Sequence, residues 1–259
     1  MPHKPCFDLH SSLAACQNDP AARWRFLHHF AQYWTSAPLT DDPQPAGNDK
    51  STDDHLTAAE QRLALTLPNS LTEAYKLLGQ RPDLTSNQDK FLAPYELYIY
   101  QPENEAEKED IFLVFRTENQ GAAVWGMPVS SSNPDPPVFV RLSLFEKEGE
   151  KWLPWTSSFS EALVELVLSE SMFDPTALTY INSEECHRLE LEARFAKLQF
   201  PRYHPDSEST LSWFTHGPDL LLRHDGSELM IRARTDDAVR QLKQEHGDLF
   251  SNPVLNRYI

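Results

Sequence analysis

The segment from Ile111 to Val140 constrains the fold most strongly, because its apolar runs alternate with clear turn residues. Ile111 to Phe115 and Ala122 to Val129 are apolar, and the polar turn Glu118 to Gly121 separates them. A third apolar run follows at Pro137 to Leu142. Short runs separated by turns that contain glycine are typical of paired strands. The segment therefore predicts an antiparallel meander, which points to a binding scaffold rather than to an active site.

Helical patterns lie on both sides of these strands. Asp19 and Pro20 can begin a helix that extends to Trp34, since proline suits the first helical position. Thr57 and Ser158 each precede a glutamate by three residues, a spacing that indicates a capping box at the start of a helix. We also predict strands over 91–100, 211–214, 220–222 and 229–233, and helices over 71–78, 183–198 and 235–246. Runs of helix, then strand, then helix indicate an α+β fold.

Composition divides the chain into three parts. We predict an N-terminal helical extension over residues 1–36, of which residues 1–19 look irregular, and an acidic, proline-rich linker over residues 37–56. Residues 57–259 would form one α+β domain. The helix from Pro20 is apolar on much of its surface, so we expect it to pack on this domain or on a partner.

The charge of the chain favours a basic partner. It has 23 Lys and Arg against 39 Asp and Glu, a formal net charge of −16. Such a field repels nucleic acid and anionic membranes and attracts basic proteins, although solubility alone also accounts for it. Three scattered cysteines, no apolar leader and no long apolar run lead us to expect a cytoplasmic protein without a membrane span. The oligomeric state stays open.

Motifs for catalysis, cofactors and metals are missing from the sequence. We find neither a glycine-rich phosphate loop nor a G-x-S-x-G elbow, and His224-Asp225 is explained by a hairpin turn. No H-x-x-x-H or C-x-x-C spacing occurs, and the adjacent pair His28-His29 would diverge on a helix. We therefore expect no catalytic residue, no cofactor and no metal, and an enzyme of unknown class is the least favoured hypothesis.

Two groups of residues are candidates for binding a partner. The first is an acidic run between predicted strands, which could meet a basic surface or could simply be a solvated loop. The second is a tryptophan pair near a turn and a helix start, since tryptophan is enriched at interface hot spots. We place core packing ahead of recognition for Trp125. The candidates are Glu103, Glu105, Glu107, Glu109, Asp110, Trp152 and Trp155.

The order of several motifs resembles the SUKH superfamily. Leu92 to Leu97 is similar to the entry of the first strand in that family, and Glu118 to Gly121 with Trp125-Gly126 is similar to bacterial members. The run 152–163 and the segment 214–242 extend the resemblance over roughly residues 57–245. Residues 1–56 have no counterpart in the family, and Gly79-Gln80-Arg81 replaces its common asparagine-glycine ending.

This resemblance implies an antiparallel sheet flanked by helices that serves as an interaction scaffold, here with an extra N-terminal helix. Many bacterial members are immunity proteins that bind and block a toxin used against neighbouring cells. The resemblance therefore leads us to expect a non-enzymatic immunity protein that occludes a basic toxin domain in contact-dependent competition. A regulatory adaptor of the same fold is the alternative.

Overall fold

The structure, a computed structural model, describes residues 7–17, 19–34, 51–79, 81–101, 111–142, 151–173, 178–182, 188–198, 211–224, 229–247 and 254–255. Within these ranges the helices are α1 (Leu9–Cys16), α2 (Pro20–Tyr33), α3 (Thr52–Leu63), α4 (Asn69–Leu78), α5 (Pro82–Thr85), α6 (Phe159–Ser171), α7 (Arg188–Arg194) and α8 (Asp236–His246). The strands of the first sheet are β1 (Lys90–Phe91), β2 (Tyr98–Tyr100), β3 (Phe112–Thr117), β4 (Ala123–Pro128), β5 (Val138–Leu142) and β6 (Trp152–Thr156). Those of the second are β7 (Leu178–Asn182), β8 (Ala196–Leu198), β9 (Ser212–Thr215), β10 (Leu220–His224), β11 (Leu229–Ala233) and β12 (Val254–Leu255).

Helices and two antiparallel sheets make this an α+β protein, as the sequence predicts. The chain divides into two compact units. Residues 39–170 form one, which we call the central unit, and residues 1–38 with 171–259 form the other, the terminal unit. The sequence predicts a single domain over 57–259, whereas the structure groups the end of that range with the N-terminal helices. Local periodicity does not reveal such pairing between distant segments.

The central unit is built on a sheet of order β1-β3-β4-β5-β6, with β2 also pairing with β3. Consecutive antiparallel pairing of β3, β4 and β5 confirms the predicted meander. Glu118 shapes the turn between β3 and β4, because its carboxylate accepts from the amides of Gln120 and Ala122 at 2.8 and 3.0 Å. Gly121 has φ 76°, a conformation that glycine adopts at little cost.

One face of this sheet packs against helices of the central unit. Phe115 on β3 meets Phe159 on α6 edge-on at 5.0 Å between ring centroids. Tyr75 on α4 stacks on Phe91 at 4.9 Å, and its hydroxyl donates to the carbonyl of Leu92 at 2.6 Å. Trp125 is buried on the same face, which confirms its predicted role in core packing.

The terminal unit has a sheet of order β12-β7-β11-β10-β9-β8 between helices on both faces. Alternate residues of β9, β10 and β11 form a buried cluster with Val239 and Leu242 of α8. On the other face, Arg232 of β11 donates to the carbonyl of Trp34, at the end of α2, at 2.9 Å. The buried rings of Phe26 and Phe30 stack along α2 at 5.7 Å. The N-terminal helices are therefore part of this unit's core.

Several element boundaries differ from the prediction. Residues 9–16 form α1, capped by Asp8, where the sequence looks irregular. Helix α3 begins with a capping box of Ser51 and Asp54, so the end of the predicted linker is helical. The Thr57 hydroxyl, which the sequence assigns to the cap, instead donates to the carbonyl of Asp53 at 2.8 Å inside the helix.

The predicted helix starts at Asp19, Thr235 and Ser158 are confirmed. Asp19 accepts from the amide of Ala21 with Pro20 at the start of α2, and Thr235 accepts from the amide of Ala238. The amide of Glu161 donates to the Ser158 hydroxyl at 3.3 Å, as in the predicted capping box, while the Glu161 carboxylate accepts from the amide of Ser157 at 3.2 Å.

Two predicted elements are divided. The predicted strand 91–100 is broken by a turn at residues 94–96, which leaves β1 and β2. The end of the predicted helix 183–198 is strand β8, paired with β9.

Candidate functional site

The second face of the central sheet carries a patch of aromatic side chains. Residues paired across antiparallel strands point to the same face, so Tyr98 and Tyr100 share a face with their β3 partners. The register continues this face through Gly126 of β4 and Phe139 of β5 to the far edge. We call the following residues the aromatic face: Tyr98, Tyr100, Phe112, Phe139, Arg141 and Trp152.

Close ring contacts hold these side chains together. Trp152 stacks on Phe112 with 4.1 Å between ring centroids and meets Tyr100 edge-on at 5.6 Å. The guanidinium of Arg141 lies 4.5 Å from the centre of the Tyr100 ring, a cation–π contact. Four members are half-buried and Tyr98 is 38% exposed, so the patch is ordered yet reachable by a partner.

Gly126 allows Trp152 to lie across the sheet. A Cβ atom at Gly126 would lie 2.9 Å from Cη2 of Trp152 and 3.1 Å from Cβ of Phe112. Real side chains do not approach so closely, so any larger residue would displace the indole. Trp125 thus places its indole in the core on the inner face. Its neighbour Gly126 leaves space on the outer face for the indole of Trp152.

The two predicted tryptophans lie on different faces of the sheet. Trp152 belongs to the aromatic face, whereas the ring of Trp155 is 6.0 Å from that of Trp125, which packs in the core. The register between β5 and β6 shifts from Phe139–Pro154 to Val138–Thr156, so Trp155 lies at a bulge, which changes the direction of its side chain. Their binding role stays a prediction, and only Trp152 is placed beside other candidate contact residues.

The predicted acidic residues, Glu103, Glu105, Glu107, Glu109 and Asp110, lie outside the described residues. The described residues that flank this segment are Gln101 and Ile111. The chain leaves β2 after Tyr100 and enters β3 at Phe112, and these two residues are paired across the sheet. Both residues belong to the aromatic face, so the two strands that the acidic segment joins in the sequence contribute to that face.

A buried charge cluster lies on the inner face of the same sheet. The guanidinium of Arg116 donates to Glu165 at 2.9 Å and to Asp89 at 2.8 Å, and lies 3.4 Å from an oxygen of Glu170. It also covers the ring of Trp125 at 4.4 Å. All four charged residues are almost fully buried, which suits a structural network rather than a reactive surface.

Glu170 links this cluster to the backbone of residues 87–89 through hydrogen bonds. Its carboxylate accepts from the amides of Asn87 and Gln88 at 2.7 Å and from that of Asp89 at 3.1 Å. Burial raises the pKa of Glu170 from 4.5 to about 6, against the opposing effect of the Arg116 charge. Asp89 adds to the rise, because a second carboxylate nearby disfavours the ionised form.

The terminal unit brings together three possible metal ligands that sequence spacing does not reveal. His216 follows β9, and Glu245 and His246 end α8. The Nε2 atom of His216 lies 2.9 Å from Oε2 of Glu245, and the Nε2 atom of His246 lies 4.0 Å from the same oxygen. One ligand atom from each residue lies within 4.8 Å of the others. Only the packing of α8 on the sheet brings residue 216 beside residues 245 and 246.

Comparisons with known proteins provide no relative for this chain. No family model matches it, and neither a curated protein nor a solved structure matches it. Among the described residues, no helix has both the length and the apolar character needed to cross a membrane.

Proposed function

We propose that this chain is a non-enzymatic protein-binding module of the SUKH type, and that it acts in the cytoplasm as an immunity protein against a cognate toxin. The observation that supports the proposal most is the aromatic face, where Trp152, Tyr98, Tyr100 and Arg141 lie together at reachable positions. Tyrosine, tryptophan and arginine are the residues most enriched at binding hot spots. A platform of these types suits recognition of a protein surface.

The rigidity of the platform favours binding without rearrangement. Trp152 is held by Phe112 below it and Tyr100 beside it, and Gly126 leaves it room. An ordered side chain loses little conformational entropy when a partner covers it, so more of the contact energy remains as affinity. We therefore propose occlusion by a preformed surface as the mechanism.

The charge of the chain suggests the chemistry of the partner. The segment 102–110 holds five acids and one lysine, and it joins the two strands that contribute Tyr100 and Phe112. The acidic side chains of this segment would attract a basic surface and speed its association. A toxin with a basic active-site cleft fits this arrangement, and its cleft is the region that the platform would cover.

Co-expression tests this proposal. Each gene adjacent to this one would be expressed alone, and any product that stops growth would be co-expressed with the full chain. We expect the full chain to restore growth against one such product and to form a one-to-one complex with it. Trp152→Leu should protect poorly, whereas Tyr95→Ser, which changes an exposed turn residue outside the sheet, should protect fully.

Each outcome of the co-expression experiment tests a different part of the proposal. Failure to restore growth against every toxic neighbour, or the absence of a toxic neighbour, contradicts the immunity role. Growth restored without a stable complex contradicts occlusion as the mechanism. Equal protection by Trp152→Leu and the unchanged chain would show that the aromatic face is not the contact surface.

A further inference from the structure

We infer that His216, Glu245 and His246 form a binding site for a divalent transition metal, with Zn²⁺ as the best fit. Two imidazole nitrogens and one carboxylate oxygen converge within 4.8 Å of one another. Imidazole with carboxylate is a ligand set that zinc uses in protein sites. The site lies in the terminal unit, and the inference does not depend on the proposed protein-binding function.

The spacing of the ligand atoms suits a tetrahedral ion after small side-chain adjustments. Ligands about 2.0–2.1 Å from zinc lie roughly 3.3 Å from each other in a tetrahedron. The separations from Oε2 of Glu245, 2.9 Å to Nε2 of His216 and 4.0 Å to Nε2 of His246, lie on either side of that value. We expect side-chain rotations to bring both nitrogens to this distance when an ion binds.

The surroundings of the site favour a cation. Gln241, one turn before Glu245 on α8, donates to the second carboxylate oxygen at 2.9 Å and so orients the first toward the histidines. Hydrogen bonds of this kind to a ligating group are typical of metal sites. Glu245 and His246 also end α8, and the carboxyl end of a helix carries partial negative charge.

An apolar wall restricts the two imidazole rings. Phe195 meets His216 edge-on at 5.6 Å and His246 at 4.9 Å, and the two imidazoles meet each other edge-on at 5.1 Å. His216 is positioned by the turn at Gly217, which has φ 63°. The three residues are partly exposed, so an ion can enter from solvent and water can take a fourth position.

The chemistry of the ligands selects the type of metal. Two imidazoles suit zinc, copper and nickel, whereas magnesium and calcium prefer sites made only of oxygen. Bound metal would connect the turn after β9 to the last turn of α8. We therefore expect it to stabilise the terminal unit against unfolding.

Titration of the full chain with Zn²⁺ by isothermal calorimetry tests the site, after removal of metal by a chelator. We expect one ion per chain, with affinity at least about tenfold weaker in His216→Ala and in Glu245→Gln, since even loss of an outer partner costs this much. Gln241→Ala should weaken binding less than the two ligand variants.

Matched controls remove a histidine and neutralise a carboxylate elsewhere in the terminal unit. His28→Ala removes an exposed histidine of α2, and Asp237→Asn neutralises an exposed acid in the first turn of α8. Both should bind Zn²⁺ as the unchanged chain does. Circular dichroism checks that each variant is folded, and Co²⁺ absorption in the visible range reports tetrahedral ligation.

Three results would overturn the inference. The first is that the full chain binds no Zn²⁺ in a one-to-one ratio. The second is that His216→Ala and Glu245→Gln bind Zn²⁺ as tightly as His28→Ala, which would place the ion on other residues. The third is a Co²⁺ spectrum that is unchanged in His216→Ala, which would show that His216 does not ligate the ion.

Discussion

At the scale of single residues, Arg116 is the cation of a buried charge cluster in the central unit. It is buried with three carboxylates, those of Asp89, Glu165 and Glu170, and lies within ion-pair distance of each. Its stacking on Trp125 and the amide donors to Glu170 offset part of the cost of burying these charges. The charges of the cluster are coupled, because removing one of them leaves the others buried with less compensation.

We predict that Arg116→Met destabilises the central unit by about 3–5 kcal/mol, because it leaves buried carboxylates without their cation. Hydrogen exchange of the β3 and β4 amides, followed by mass spectrometry, measures the change in this unit. Arg141→Met is the matched control, since Arg141 is half-buried on the opposite face of the same sheet. If Arg116→Met lowers the stability of the central unit no more than Arg141→Met does, the buried charge cluster does not stabilise this unit.

The raised pKa of Glu170 predicts a dependence of stability on pH. Because the folded-state pKa, about 6, exceeds the usual 4.5, the folded protein binds the proton more tightly than the unfolded chain. This contribution is fully present below pH 4.5 and is lost as pH rises through 6. It amounts to about 2 kcal/mol, since one pKa unit corresponds to about 1.4 kcal/mol.

Comparison of the full chain with Glu170→Gln isolates this contribution. Amide exchange of β1 and β3 would be measured between about pH 4.5 and 7 for both proteins, corrected for the intrinsic exchange rate. The unchanged chain should lose stability relative to the variant as pH rises. Parallel curves for the two proteins would show that Glu170 does not titrate in this range.

At the scale of elements, helix α3 has two candidate N-cap residues, and the structure uses Ser51 rather than Thr57. Ser51 accepts from the amide of Asp54 at 3.2 Å, and Asp54 accepts from the amide of Ser51 at 3.2 Å. Thr57 has the same three-residue spacing to Glu60, but Glu60 instead accepts from the amide of Leu67 at 2.9 Å, after the helix ends. Glu60 therefore stabilises the exit of α3 rather than its entry.

We predict that Ser51→Ala destabilises α3 by about 1 kcal/mol, the usual cost of losing a helix cap. Thr57→Ala should change stability by only a few tenths of a kcal/mol, because alanine is favourable inside a helix. Urea unfolding of both variants, monitored by circular dichroism, measures the difference. If Thr57→Ala lowers stability more than Ser51→Ala does, Thr57 is the cap, as the sequence alone predicts.

Elements with strong local signals could be predicted from the sequence, and the others could not. The strands β3, β4 and β5 carry apolar runs and a turn closed by Gly121, and α2 carries Asp19-Pro20. In contrast, α1 is only eight residues long, so the helical spacing of Leu9, Leu13 and Cys16 after Asp8 is too short a pattern to stand out from an irregular segment. Strand β8 follows α7 after one residue and is stabilised by pairing with β9, a tertiary contact that a helical pattern conceals.

The candidate sites follow the same rule. Trp152 could be selected by residue type and its position near a turn, but its separation from Trp155 requires the strand register. Gly126 lies beside Trp152 because the register of β4, β5 and β6 brings these distant residues to the same face. His216 approaches Glu245 and His246 through the packing of α8, so no spacing along the chain indicates the metal site.

At the scale of the whole molecule, charge and surface have separate roles in the proposed binding. The net charge of −16 acts at a distance and raises the rate of encounter, whereas the aromatic face acts at contact. Salt screens the long-range charge attraction and leaves the contacts of the aromatic face largely unchanged. The two contributions can therefore be measured independently.

Neutralising Glu103, Glu105 and Glu107 to glutamine should slow association with the toxin about tenfold at low salt, with little change in dissociation. The salt dependence of the association rate should also become weaker. Surface plasmon resonance at several salt concentrations measures both rates. Glutamine at Glu73 and Glu190 with asparagine at Asp237 changes net charge equally at exposed sites elsewhere, and an equal slowing there would show that segment 102–110 has no special role.

The central claim is that the aromatic face is the contact surface for a protein toxin. The most direct measurement is the affinity of the purified toxic neighbour for the unchanged chain, Tyr98→Ser and Tyr95→Ser, by isothermal calorimetry. Tyr98 is 38% exposed on the face, and Tyr95 is 74% exposed in a turn outside the sheet. We predict one-to-one binding that Tyr98→Ser weakens at least about tenfold, or 1.4 kcal/mol, and that Tyr95→Ser leaves unchanged. Equal affinity of Tyr98→Ser and the unchanged chain would contradict the claim.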